Sequence, residues 1–250
     1  MEDVHIGTMG WSYSFWVGNF YAEDTDSSRF LSEYSKSFNT VEIDNTFYRT
    51  PNMDTVMHWR EETPDRFLFS AKFPRTVTHQ KMLKNCEREV ERFLANMSLL
   101  GDRLGPLLMQ LPPSFGREHL QSLRDFLTGL PKGFQFAVEV RNKTILNESL
   151  YSLLRERNTA LAMVEGSSIP TVDIKTADFV YIRWEGDRRK VNGMLGRVEV
   201  DRTEEIKHWA EKIRSLKQMQ VPIFGYFSKY YSGYPPTDAR QLVSMLEIAA

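Results

Sequence analysis

The chain has 250 residues, and its 32 Lys and Arg against 33 Asp and Glu leave a formal net charge of −1, which gives no overall attraction to nucleic acid or to an anionic membrane. Its single cysteine, Cys86, excludes an intramolecular disulfide; it falls at the start of a predicted helix, where a thiol pKa can drop, but no motif accompanies it and it reads as a small core residue. The first residues, with Glu2, Asp3 and His5, lack the basic-then-apolar layout of a signal peptide, and no run approaches the roughly 18 uncharged apolar residues that span a bilayer, so a cytoplasmic protein without a membrane partner is expected.

Short apolar runs read as strands at residues 4–10, 40–44, 66–73, 107–111, 134–141, 160–165, 179–185 and 222–227. Helical stripes separate most of them. Between strands three and four, Val90, Phe93, Leu94, Met97 and Leu100 follow the 3,4 spacing of one buried face within 86–101. Leu120, Leu123, Phe126, Leu127 and Leu130 mark the next, ended by Pro131. Within 201–218, Ile206, Trp209, Ala210, Ile213 and Leu216 form another, with Asp201 and Glu204 resembling a capping pair. Residues 166–178 leave little room for a helix, which predicts a truncated sixth crossover. Eight strand–helix alternations with no linker, repeat or low-complexity segment predict an α/β fold: one (β/α)8 barrel domain over 1–250. An open doubly wound sheet shares the alternation, but the turn Gly7-Thr8-Met9-Gly10-Trp11-Ser12-Tyr13 puts aromatics where its phosphate cradle needs glycines.

Side chains alternate faces along a strand, so parity separates helix-facing from lumen-facing positions. Val41 and Ile43, Phe67, Phe69 and Ala71, Phe134, Phe136, Val138 and Val140, and Val180, Ile182 and Trp184 form the outward sets. That leaves Glu42, Asp44, Lys72, Gln110, Glu139, Arg141, Glu165, Tyr181, Arg183 and Glu185 inward, late in their strands, towards the rim where barrels of this kind carry their sites. Two readings follow: ion pairs that plug the barrel, or a ligand pocket lined by convergent charges. The pocket reading expects Arg183→Ala or Lys72→Met to cost below about 1.5 kcal/mol of stability.

The chemistry expected of such a pocket is acid–base. Glu42 and Glu139 are the candidate acid and base, as in glycoside hydrolysis. Lys72, Arg141 and Arg183 are placed to hold an anion, Gln110 to orient a substrate, and His79, in the loop after strand three, to shuttle a proton. Lys72 as an amine nucleophile is the lesser alternative, since nearby carboxylates raise its pKa. His5, His58, His119 and His208 fall away from the rim, so a zinc centre is not expected, nor any other cofactor; an all-oxygen magnesium site on Glu42, Asp44 or Glu185 is the alternative. Aromatics crowd the rim loops: Trp11, Tyr13, Phe15 and Trp16, then Phe47 and Tyr48, then Tyr230, Tyr231 and Tyr234. They either pack the loops together or stack on sugars and bases. With Arg49, Lys229 and Arg188-Arg189-Lys190 nearby, a nucleotide or single-stranded nucleic acid is the competing ligand.

Several motifs resemble a known family. Gly10-Trp11-Ser12-Tyr13 with Trp16, Phe20 and Tyr21, then residues 40–49 (TVEIDNTFYR), then Trp59, Thr63-Pro64, Phe67, Lys72 and Thr78-His79 are similar to domain of unknown function family 72, the YecE-like barrels. Gln110-Leu111-Pro112-Pro113, Glu139-Val140-Arg141 and Tyr181-Ile182-Arg183 before Gly186 extend the resemblance over nearly the whole chain. It implies a (β/α)8 barrel and no particular activity. The chain departs from the family pattern at Asp44 (usually Asn), Glu185 (usually His), Thr144-Ile145 (usually Ser-Trp) and Ser228-Lys229 (usually Asn-Asn), so a shared substrate is not implied. The expectation is a cofactor-free barrel that binds a small polar, anionic ligand, a sugar or phosphate ester, with hydrolytic acid–base chemistry. Trp11, Tyr13, Asp44, Tyr48, Arg49 and Glu185 join the ligand-binding set. The alternatives are a nucleic-acid-binding protein or nuclease, and a barrel without catalysis.

Overall fold

The computed structural model describes residues 3–166 and 169–246; Glu2 and residues 167–168 of the predicted sixth crossover lie outside them. The strands are β1 (Val4–Thr8), β2 (Thr40–Ile43), β3 (Leu68–Lys72), β4 (Leu104–Gln110), β5 (Phe136–Glu139), β6 (Thr159–Leu161), β7 (Met163–Glu165), β8 (Val180–Trp184) and β9 (Ile223–Phe227). The helices are α1 (Phe30–Ser35), α2 (Met53–Glu61), α3 (Glu87–Met97), α4 (Leu120–Gly129), α5 (Glu148–Glu156), α6 (Thr203–Lys217) and α7 (Pro235–Leu246). Among the described residues no helix lies between β7 and β8, as the short spacing predicted, and none is long and apolar enough to cross a membrane.

All strand pairs are parallel, in the orders β1-β9-β8-β7 and β2-β3-β4-β5-β6. Two seams join these runs into one ring. At the first, Met9 bridges to Glu42 and the Gly10 N–H donates to the Glu42 carbonyl at 2.8 Å. At the second, the predicted sixth strand serves both runs: β6 pairs with β5 and β7 with β8, while the Ala162 N–H between them donates to the Val138 carbonyl at 2.9 Å. The result is the eight-stranded (β/α)8 barrel.

The first seam requires a glycine. A Cβ on Gly7 would lie 2.2 Å from the Thr40 carbonyl oxygen, so any side chain there forces β1 and β2 apart.

Two apolar layers follow from strand parity. The outer one, between sheet and helices, contains Val41, Ile43, Phe69, Ala71, Val138, Val180, Ile182 and Trp184 with Phe93, Leu123, Leu153 and Trp209 from the helices. The inner one fills the lumen with Met9, Leu108, Ala137, Ala160, Ala162, Val164, Phe179, Tyr181, Phe224 and Tyr226. Each fully buried large apolar side chain contributes about 1.5–3 kcal/mol. Low in the lumen, the Tyr226 hydroxyl meets Thr40 Oγ1 at 2.8 Å and Ser70 Oγ at 2.7 Å.

Two local expectations are corrected. Glu165 faces outward, not inward, and accepts a hydrogen bond from the Trp209 indole on α6. Val164 takes the lumen position, so alternation from Leu161 and Met163, both outward, carries Glu165 to the helix side. Asp201 does not form a capping box with Glu204. Its carboxylate accepts from the Thr203 N–H at 2.9 Å, while Glu204 pairs with Lys207 at 2.6 Å.

Candidate functional site

The inward charges converge at the C-terminal ends of β2, β3, β4, β5 and β8 because each ends its strand on the lumen face. They form two tiers. The deep tier centres on Arg183, whose side chain is 1% exposed. Its Nε donates to Glu42 Oε2 at 2.9 Å and its Nη2 to Glu42 Oε1 at 2.8 Å. Its Nη1 donates to both Glu139 and Glu185. The Tyr181 hydroxyl donates to Glu42 Oε2 at 2.7 Å, and Met9 Sδ lies 3.2 Å from Arg183 Nη2. Glu42 and Glu139 are themselves fully buried.

The upper tier is looser, with Lys72 and Gln110 buried and Asp44 and Arg141 partly exposed. Lys72 Nζ stands 3.3 Å from Gln110 Oε1, 3.4 Å from Asp44 Oδ1 and 4.7 Å from the centre of the Phe47 ring. Asp44 Oδ1 accepts no well-formed hydrogen bond, although the Asp44 side chain is 37% exposed. Gln110 donates to Glu139 at 2.9 Å. Arg141, 30% exposed, donates from Nε to Glu139 at 2.7 Å and from Nη2 to Glu185 at 3.3 Å. His79 sits in a π-helical turn, Thr76–Gln80, a distortion that recurs at functional positions. Its Nδ1 is held by Thr78 Oγ1 at 2.9 Å, and its ring meets the Phe47 ring edge-on at 5.0 Å.

Four carboxylates (Glu42, Asp44, Glu139, Glu185) face three cations (Lys72, Arg141, Arg183), so one proton balances the cluster. Full burial pushes Glu42 up to about 7, against the pull of Arg183 and with added repulsion from Asp44. Burial also acts on Glu139, but Arg183, Arg141 and Lys72 outweigh it and bring its carboxyl down to about 2. Burial likewise opposes ionisation of Asp44, yet Lys72 and Arg183 hold it below the usual carboxylate range. His79 is lowered by partial burial and then by the charges of Lys72, Arg141 and Arg75, so its imidazole is neutral at pH 7.

The expected set therefore divides. Glu42, Lys72, Gln110, Glu139, Arg141, Arg183, Asp44 and Glu185 share one network, joined by His79 through Phe47. Glu42 and Glu139 are sealed beneath it, and Arg183 spends its donors on carboxylates. Trp11 is buried edge-on against Trp59 at 5.8 Å, as a packing residue. Tyr48 is 81% exposed, and Arg49 borders a separate surface recess with Thr55 and Trp59. Other ring faces are occupied by cations: Phe47 by Lys72, and Tyr13, Phe15 and Tyr230 by Lys229.

Sequence reasoning set Tyr181 inward, on the parity of Arg183, and Phe47 on the rim, but gave neither a part in the charge network; their contacts with Glu42 and Lys72 emerge only in the fold. A groove of about 730 Å3 lies elsewhere, between α3 and α4, lined by Val90, Leu94, Phe126 and Leu130 among others. It is a gap between helices, away from the convergent charges. Cys86 borders it, and burial pushes its thiol up to about 11. Among the described residues no group of three or more His, Cys, Asp or Glu is arranged to hold a metal ion.

Residues 5–250 match the family model described as protein of unknown function DUF72. Over 139 residues the chain is 40% identical to the UPF0759 protein YecE of Escherichia coli (strain K12), in a match covering 56% of this chain and 48% of that protein, so it spans about half of that relative's length. It is 24% identical over 276 residues to the UPF0759 protein YunF of Bacillus subtilis (strain 168), covering 98% and 95% of the two chains. A crystal structure of a DUF72 family protein from Thermotoga maritima superposes with a TM-score of 0.80 at 28% identity, over 98% of this chain and 99% of that one. A xylose isomerase-like TIM barrel protein from Mycobacterium smegmatis, in complex with magnesium, shares the fold with a TM-score of 0.55 at 10% identity, over 98% and 97%.

Proposed function

The chain belongs to the DUF72 family, and we propose that its barrel mouth binds a small polar, anionic ligand, a sugar or phosphate ester, and cleaves it by acid–base hydrolysis. The observation that carries this reading is the looseness of Lys72. Its ammonium makes no polar contact shorter than 3.3 Å, whereas the Arg183 pairs beneath it are tight and sealed. A lysine kept for fold stability alone would be expected to close on Asp44. A lysine held on the Phe47 ring between an amide and a carboxylate is poised for a further anionic partner.

Lys72 and Arg141 take the ligand's anionic group on the β3–β5 side. Asp44 and Glu185, from β2 and β8, accept hydroxyl donors opposite. Neutral His79, with Nδ1 held by Thr78, leaves Nε2 to take a proton from water as that water attacks. The scissile bond breaks towards its leaving oxygen, which takes the proton held by Glu42, relayed through the ionised Asp44 carboxylate above it. Glu139 stays ionised and positions Arg141, Gln110 and Arg183. Nucleic-acid binding has less support, because Tyr13, Phe15, Phe47 and Tyr230, four of the rim rings that would stack on bases, already carry cations.

The test is a panel of sugar phosphates, phosphate esters and glycosides offered to the purified protein, with binding measured by calorimetry alongside turnover. Lys72→Met and Arg141→Met are expected to lower affinity at least about tenfold, equivalent to about 1.4 kcal/mol. His79→Asn is expected to abolish turnover with affinity kept, and Asp44→Asn to lower both. Unchanged affinity in both cation variants would remove the reading's support.

A further inference from the structure

A second cluster, unused by that chemistry, stands where the seventh and eighth strands of the ring end. Lys229, just past β9, holds its ammonium 5.3 Å from the centre of the Tyr230 ring, 5.4 Å from Tyr13 and 5.6 Å from Phe15. Arg188, in the loop after β8, lies 4.7 Å over the same Tyr230 ring. Among the described residues no carboxylate comes within 4.0 Å of Lys229. The nearest to Arg188 is Glu185 Oε2 at 3.9 Å, and the other oxygen of that carboxylate already serves Arg183 and Arg141. The neighbouring Arg189 is different: Asp187 takes its Nε at 3.0 Å and its Nη2 at 3.1 Å.

The loops that carry these two cations are tied together. Glu199 accepts the Asn192 and Gly193 N–H groups at 3.0 and 2.7 Å, and its own N–H donates to the Ser232 carbonyl at 2.7 Å. This ties the loop after β8 to the loop after β9. Gly193, at φ 69°, lies so close that a Cβ would stand 2.7 Å from the Lys229 carbonyl oxygen. Like charges held against one ring repel each other, and the ring's negative face offsets only part of that. An anion that meets both would remove the rest. Barrels of this kind often bind phosphate on the loops after strands seven and eight. With both cations against its ring, Tyr230 is a platform for these charges and not a stacking surface for a base.

We propose that Lys229 and Arg188 form a phosphate-monoester subsite, so that the ligand is two-ended. Its phosphate sits on the β8–β9 side, and its reacting polar end lies over Asp44, Lys72 and His79, with Tyr13 between. The substrate class is a sugar or polyol that carries this phosphate in addition to the ester or glycosidic bond cleaved at the mouth. This rests on the mouth being the ligand site, but its test is separate.

Calorimetry on the full chain in low-salt, phosphate-free buffer would use inorganic phosphate, ribose and ribose 5-phosphate as probes. Ribose 5-phosphate is expected to bind at least about tenfold more tightly than ribose. Arg188→Met and Lys229→Met should each weaken inorganic phosphate about fivefold or more, whereas Arg189→Met should change it by less than about twofold. Lys72→Met should weaken ribose 5-phosphate, and should weaken inorganic phosphate less than Arg188→Met does. No phosphate binding by the unaltered protein, or equal losses in Arg188→Met and Arg189→Met, would overturn the subsite. So would phosphate affinity that follows Lys72 instead of Lys229, an outcome that leaves the mouth reading standing. Tight binding of a single-stranded oligonucleotide that phosphate does not displace would also overturn it. Should Lys229→Met fail to fold, Arg188→Met, altering a side chain 67% exposed, decides the matter alone.

Discussion

Arg183 and Glu42 are joined by two parallel hydrogen bonds, 2.9 and 2.8 Å long, between side chains 1% and 0% exposed to solvent. They come from β8 and β2, on opposite sides of the first seam, and Glu139 and Glu185 close on the same guanidinium. This arrangement makes Arg183 a structural centre, and the expectation that its loss is tolerated is reversed.

Arg183→Met is expected to cost about 3–5 kcal/mol, because removing one member of a buried network strands the charges of the others. Arg141→Met, at a half-buried mouth position, should cost below about 1.5 kcal/mol. Urea melts of the two variants check this. An Arg183→Met protein as stable as the unaltered chain would show that the network contributes nothing to the fold.

Gly7→Ala is expected to destabilise the barrel by about 2–3 kcal/mol or more, since the obstacle to its Cβ is the Thr40 backbone, which cannot rotate away. Hydrogen exchange should show the loss first at β1 and β2. An alanine variant with unchanged exchange and melting would mean that the seam is wider than described.

Stability should fall with rising pH through Asp238, at the start of α7. Burial pushes this carboxyl from 3.8 up to about 7, against the pull of the Ser232 hydrogen bond and Arg202. A raised folded-state pKa means the native state holds the proton more tightly than the unfolded chain. The stabilisation is therefore full below about pH 3.8 and is lost as pH rises through about 7, amounting to about 4 kcal/mol if the whole shift is realised. Asp238→Asn keeps an oxygen to accept from Ser232 Oγ, which lies 2.6 Å away, and removes the titration. The difference in stability between variant and unaltered protein should grow from pH 4 to 7; a flat difference in urea melts would refute the assignment.

Cys86 should be inert in the folded protein, because burial raises its thiol to about 11 and leaves little thiolate at pH 8. Labelling with a chromogenic disulfide reagent is expected to be slow in buffer and rapid in denaturing urea. Stoichiometric labelling of the native chain within seconds would contradict the buried placement.

Strand–helix alternation and strand parity were legible in the amino-acid order, because both are local. A parallel strand buried on two faces must be apolar outward, so a charge at the other parity has only the lumen to enter. Glu42, Lys72, Glu139 and Arg183 were placed on that basis, and the barrel's rim with them. Glu165 shows the limit. A charge at a strand end is legible, but its side depends on where the alternation is anchored, and a tryptophan on α6 was there to receive it. Which charges neutralise each other was decided only by the closed ring. Arg183 meets a carboxylate 141 positions away in the chain, and no local pattern encodes that distance. Closure also sorted the set by depth, burying Glu42 and Glu139 and leaving Lys72, Arg141, Asp44 and His79 at the mouth. Proton affinity follows from burial and neighbouring charge, both properties of three-dimensional packing, which is why a Glu at about 7 and a Glu at about 2 look alike in the sequence.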